Sequence, residues 1–207
     1  MKKLLCVAAI GLILATSDST AKDSRELNHT FAINGTSQLE IDFPVGSLEV
    51  QNYAGSEVVV TVRIEPKNDT GWFDSEMDLS DIKLSHSQNA GSLSLKLDND
   101  DIQQNWLVKM PSTMAIDVEL GVGDIEINDT SNSVDIELGV GAVRIDSALD
   151  DYKRIELETG VGDTKIRGML NEAKQSRKIV SSHSNYSGNG QFEIDVEVGV
   201  GDIKVSN

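Results

Sequence analysis

Four near-identical segments place carboxylates at matched positions: Asp117/Glu119, Asp135/Glu137, Glu156/Glu158 and Asp195/Glu197. If these segments stack as strands, equivalent residues stand about 4.8 Å apart. Two carboxylates at about 5 Å repel by roughly 1 kcal/mol in water, and by a few at an effective dielectric of about 20. A ladder of them therefore needs solvent, basic neighbours or cations. Oxygen ligands in such numbers suit Ca²⁺, so the ladder reads either as a low-affinity divalent-cation surface or as a solvated acidic face. The calcium nonapeptide G-G-x-G-x-D-x-U-x fits poorly. Here Asp124, Asp163 and Asp202 follow the second glycine directly, and Ala142 stands in that slot in the remaining copy.

Other chemistry is sparse. His29, His86 and His183 are not at metal-ligand spacing, and each reads as a surface residue. No nucleophile-elbow pattern accompanies them, and G-x-G lacks the third glycine and helix of a dinucleotide site. Trp72-Phe73, in the polar run 66–80, reads as a partner anchor or as a plug on the core. Tyr186, in the turn-rich run 181–190, reads as a partner contact or as part of a degenerate coil. No catalytic residue and no cofactor emerges.

The segments that carry these residues are copies of one sequence: Val118–Ile127 reads VELGVGDIEI, and it recurs as IELGVGAVRI at 136–145, LETGVGDTKI at 157–166 and VEVGVGDIKV at 196–205. A fainter copy, IDFPVGSLEV, spans 41–50. Gly123, Gly141, Gly162 and Gly201 share one slot, with Gly121, Gly139, Gly160 and Gly199 two residues earlier. The period is near 20, which is a solenoid signature. Ile116, Val118, Leu120 and Val122 form an inward set, and Ile125 and Ile127 continue it in the opposite phase. One extra residue at Gly-Asp thus turns a corner, where glycine provides φ > 0 and aspartate bonds nearby amides. On the second limb Arg144, Lys165 and Lys204 share a slot with Glu126. The 39-residue gap before the last copy predicts a degenerate coil near 170–190. Residues 169–178 (MLNEAKQSRK) alone could form helical turns.

These patterns predict an all-β, single-domain β-helix or solenoid with coils of about 20 residues and G-V-G-D corners. Lys2-Lys3, the apolar run Leu4–Ala15 and Ser19-Thr20-Ala21 form a secretory signal peptide over 1–21. Residues 22–30 are expected to be flexible, and 31–207 to form the solenoid. With 18 basic and 34 acidic residues the net charge is −16; removing Lys2, Lys3 and Asp18 with the leader leaves −17. Such acidity argues against nucleic acid and against direct adsorption to anionic lipid. No second apolar run of about 18 residues follows, so no transmembrane span is expected. The last coil ends at Val205 with nothing after it to cap it, which predicts end-to-end self-association or capture of another protein there.

The repeated [IV]-E-x-G-V-G-D-[IV]-[EK]-[IV], preceded by Val108-Lys109-Met110-Pro111-Ser112, resembles the bacterial putative-adhesin family of unknown-function domains. The likeness spans about 35–207 and is best over 106–205. It implies a right-handed β-helix-like solenoid, an exported or envelope location (periplasmic, secreted or cell-surface), and no established catalytic residues. The functional expectation is a non-enzymatic, adhesin-like module that binds a protein or surface polymer through its faces, loops or C-terminal end. The alternative is a polysaccharide-active β-helix enzyme, which would need two carboxylates about 5–10 Å apart in a groove.

Overall fold

The computed structural model describes residues 24–33, 35–67, 78–89 and 91–207. Its strands, in chain order, are β1 (Arg25–Ala32), β2 (Gln38–Tyr53), β3 (Glu57–Pro66), β4 (Ser85–Gln88), β5 (Ser92–Lys96), β6 (Ile102–Pro111), β7 (Ala115–Thr130), β8 (Val134–Ser147), β9 (Arg154–Val161), β10 (Thr164–Arg167), β11 (Lys174–Arg177), β12 (Ser182–Ser187), β13 (Glu193–Val200) and β14 (Ile203–Ser206). They form one mixed sheet, and no helix occurs among the described residues.

The sheet is creased. In β7 the buried set is Ile116, Val118 and Leu120 before the crease and Ile125 and Ile127 after it. The side-chain period of a strand is two, so this odd spacing means that residues 121–124 re-aim the chain. Both limbs then present apolar residues to a shared interior. Val122 does not belong to the inward set: it is 48% exposed, as are its equivalents Val140, Val161 and Val200 at 47%. The alternation ends at Leu120, one residue pair earlier than its pattern suggests.

The first limb runs β4-β5-β2-β7-β8-β13-β9-β12-β11, and the second runs β1-β3-β6-β2-β7-β8-β14-β10. The central pairings are parallel and in register. Gly46, Gly123 and Gly141 align, as do Leu120, Leu138 and Val198. Interior columns follow: Ile41, Val118, Ile136, Val196 and Leu157 on one limb, and Val50, Ile127, Ile145 and Val205 on the other, all buried. Each such side chain contributes about 1.5–3 kcal/mol on burial.

Spatial order departs from chain order. β13 lies between β8 and β9, pairing parallel with both, and β14 lies between β8 and β10. The C-terminal copy is therefore an interior rung. It is not an uncapped end, and its edges are not available for end-to-end association. Nor do residues 170–190 form a coil. β11 and β12 are an antiparallel hairpin added to β9, and 174–177, read as possible helix, is the edge strand. Arg25–Ala32 is likewise a strand, paired antiparallel with β3, although the polar composition of 22–30 suggests fraying.

The two ends of the interior are closed differently. At the first end Leu79 and Leu84 are buried. The Arg25 guanidinium donates to the carbonyls of Leu79, Ser80 and Ile82 at 2.6, 2.7 and 2.9 Å. Phe31 and His86 rings meet there at 5.1 Å, with His29 6.4 Å from His86. At the other end the apolar columns give way to hydroxyls. Thr164 Oγ1 lies 2.9 Å from Ser182 Oγ and 2.7 Å from Ser184 Oγ, and all three residues are buried. The hydroxyls bond to one another, so the burial leaves no unpaired polar group.

Candidate functional site: an acidic face beside a glycine-floored trough

Outward residues of the first limb form two columns. Glu40, Asp117, Asp135, Asp195 and Glu156 make one; Asp42, Glu119, Glu137, Glu197 and Glu158 make the other. All eight carboxylates paired by the sequence repeat are thus brought together, in register, on one face. Glu40 and Asp42 extend both columns by a rung, Asp42 within the fainter repeat at 41–50 and Glu40 just before it in the same alternation.

The columns differ in how their charge is offset. The first holds the more enclosed groups. Burial, and then the charges of Asp135, Glu40 and Glu137, push the Asp117 carboxyl above its ordinary value, although Gln38 Nε2 donates to it at 3.3 Å. Burial and Glu137 raise Asp135 in the same way, with Arg154 opposing. Asp195 is raised by burial, against Arg154, whose Nη2 is 3.1 Å from its Oδ2. Arg154 also bonds Glu156 and Glu193, and Lys153 Nζ lies 2.6 Å from Glu193. Among the described residues the second column is bridged only at its start, where Lys96 Nζ reaches Asp42 at 2.6 Å. Among the described residues, Glu119, Glu137, Glu197 and Glu158 have no ion-pair partner.

Next to these four carboxylates the surface drops. Gly121, Gly139, Gly199 and Gly160 line the floor of an open trough of about 540 Å³, with the four glutamates along one side. The floor is bare because it must be. A Cβ on Gly121 would stand 2.5 Å from the Pro44 carbonyl oxygen, and one on Gly199 would stand 2.6 Å from that of Gly139. Strand stacking therefore fixes the glycines, and the trough follows from it. Pro44 itself fills the glycine slot in β2, beside the place where the neighbouring rung leaves the ladder between β5 and β6.

The corner aspartates act between rungs. Asp124 Oδ1 accepts from the Ala142 amide at 3.0 Å, and Asp202 Oδ1 from the Asp163 amide at 2.9 Å. Asp163, in the last rung, has no further rung to cap and instead meets Arg177 Nη1 at 2.9 Å. Gly123, Gly141, Gly162 and Gly201 all hold φ between 146° and 150°, so this glycine slot and the aspartate beside it are backbone devices.

The remaining candidates separate from the face. Tyr186 is buried, 1% exposed, and its hydroxyl donates to Asp151; it cannot serve as a partner contact. It faces inward in alternation with Ser182 and Ser184, a pattern masked by two small hydroxyl residues. Trp72, Phe73 and the signal-peptide segment lie outside the described residues. No group of three His, Cys, Asp or Glu side chains converges to hold a metal ion among the described residues. On the second limb Glu126, Arg144, Lys204 and Lys165 do align in one column.

Known proteins match the chain at the level of fold. A putative cell adhesion protein from Clostridium sporogenes superposes with a TM-score of 0.55 at 14% identity, covering 89% of this chain and 99% of that one. A putative adhesin from Bacteroides fragilis covers 89% and 98% at 10% identity, with a TM-score of only 0.26. No curated protein matches. The family described as the N-terminal domain of toast_rack, DUF2154, matches residues 17–167, which is most of the sheet with its repeated Gly-Val-Gly crease. The chain belongs to this toast_rack N-terminal domain family.

Proposed function

We propose that the protein is a non-enzymatic, exported adhesin-like module of toast-rack solenoid form that binds a cationic protein or surface polymer through the acidic first-limb face. The observation that carries this reading is the second column: four glutamates with no ion-pair partner among the described residues, aligned along a trough lined by four stacked glycines. Such a surface gives an extended cationic partner both a rigid series of charges and access to backbone. Rigid strands hold the carboxylates in place, so little side-chain ordering is needed on contact. Regular carboxylate spacing also supports a repetitive partner over a single small molecule. Likeness to proteins described as adhesins supports the binding class, and the leader-like N-terminus supports export.

The test is adhesion of beads coated with the protein to bacterial envelope preparations. A variant with Glu119, Glu137, Glu158 and Glu197 all changed to Gln should fold normally and lose adhesion, and wild-type adhesion should weaken with salt. Equal adhesion by wild type and variant would remove this face from the function.

A further inference from the structure

We propose that the far end of the stack, residues 164–181, is a docking surface for an anionic lipid bilayer. β10 is the last strand of the second limb and β11 the last of the first. The segment between and around them therefore makes up the terminal end of the molecule. It is charged oppositely to the rest. Residues 164–181 hold Lys165, Arg167, Lys174, Arg177 and Lys178 against Glu172 alone, a net of +4; the remaining chain holds 13 basic and 33 acidic residues, a net of −20. Among the described residues only Arg177 of these five cations is in an ion pair, with Asp163.

The same end carries exposed aliphatics. Ile179 is 98% exposed, Leu170 66% and Val180 55%. Ile179 and Val180 occupy the two central positions of the turn joining β11 to β12, closed by the Lys178 amide donating to the Ser181 carbonyl at 2.9 Å. Turn centres favour Gly, Asn, Asp and Ser, and β-branched residues there bring no local advantage. Folding does not require them either, because neither enters the core. The tip is also held in place: the Gly162 amide donates to the Val180 carbonyl at 3.0 Å, beside the exposed Val161.

A fixed aliphatic tip preceded by Arg177 and Lys178 is the chemistry of a bilayer surface contact. The alkyl groups enter the headgroup boundary while the lysine stems extend their charges to lipid phosphates. Whole-chain acidity does not prevent this. The last carboxylate of the second column, Glu158, lies two strands in from β11, about 10 Å at 4.8 Å per strand, beyond a Debye length of about 8 Å in physiological salt, and the nearer Asp163 is neutralised by its pair with Arg177. The acidic face would then point along the membrane or away from it.

The experiment is vesicle co-sedimentation of the chain recovered from the export compartment, with loss of the apolar leader verified by mass so that residues 4–15 do not contribute. Binding is expected to vesicles containing an anionic phospholipid, to be much weaker to phosphatidylcholine alone, and to be reversed by salt. Each of Lys165→Gln, Lys174→Gln and Lys178→Gln should weaken it about fivefold. Ile179→Asp should abolish it without changing the circular dichroism spectrum or melting temperature. The acidic-face variant should bind vesicles as wild type does, which separates this surface from the one proposed above. Equal binding to neutral vesicles, or vesicle binding unaffected by Ile179→Asp, would overturn the proposal.

Discussion

Replacing Gly141 by alanine tests the account of the crease most directly. Gly141 sits in the middle of the stack, on β8, with φ +147°. Holding a residue with a side chain in such a backbone region costs about 1–3 kcal/mol. The new methyl would also overlap the carbonyl oxygen of Gly123 on the adjacent rung. That oxygen belongs to a backbone fixed by parallel pairing on both sides of the crease, so it cannot swing aside as a flexible side chain would. Relief requires the rungs to part locally, with the loss of one or two ladder hydrogen bonds at about 1 kcal/mol each. The sum is roughly 2–5 kcal/mol, reaching the upper end for single substitutions. For a chain of this size that lowers the melting temperature by roughly 4–20 °C. Urea denaturation and a thermal scan read it, with Val140→Ala beside it as control. Val140 is 47% exposed, so its truncation should change stability by less than about 0.5 kcal/mol. Gly139→Ala should fall between, because Gly139 has no positive φ but its Cβ would still press on the Gly121 carbonyl oxygen. A Gly141→Ala protein within about 1 kcal/mol of wild type would refute the reasoning that backbone contact between rungs dictates this residue.

Other expectations follow from the same geometry. Asp117, Asp135 and Asp195 have folded-state pKa values above the ordinary 3.8, so the native state binds more protons than the unfolded chain. Their contribution makes stability rise as pH falls from neutral toward 3.8 and level off below it. Glu193, lowered by Lys153 and Arg154, slopes the other way. Asp117→Asn with Asp135→Asn should therefore raise the urea midpoint at neutral pH and flatten its rise on acidification. Tyr186→Phe removes a donor to the Asp151 carboxylate and should cost about 1.5–3 kcal/mol in urea denaturation. Arg25→Gln should free the 79–84 segment, seen as lost hydrogen-exchange protection there with little change in the central strands. Deleting 193–207 removes the rung between β8 and β9 and should leave no cooperative unfolding transition, whereas removal of a terminal rung would be tolerated.

Much of the central stack is legible from the chain alone because it is periodic. The Gly-Val-Gly copies align by eye, and the carboxylate columns follow from period-two alternation. The crease blurs that rule: Val122 continues the alternation on paper, yet the backbone turns before reaching it. Rung order is illegible for a physical reason. β8, β9 and β13 carry nearly the same side chains, so each fits beside either of the others, and chain adjacency is a poor guide to spatial adjacency. The hydroxyl interior of Thr164, Ser182 and Ser184 is hidden because buried residues there are polar. The helix-like run 169–178 misleads because Glu, Ala, Lys and Gln favour helix by intrinsic propensity, while pairing with β12 decides the outcome.

The interior position of the C-terminal rung ties display to stability. A solenoid whose last copy merely extended the stack could lose or gain rungs with small effect. Here β13 and β14 join the N-terminal strands to the β9–β12 unit, and they also supply Asp195 and Glu197 to the middle of both acidic columns. Without that rung the columns would be broken at the same place as the core. The basic end at 164–181 is held by the same unit, because β10 pairs with β14 and β11 pairs with β12, which pairs with β9. One rung therefore couples an acidic side and a basic end that differ in charge and face different directions. If both proposed surfaces are used, their fixed relative orientation would hold a partner at a set distance from a bilayer.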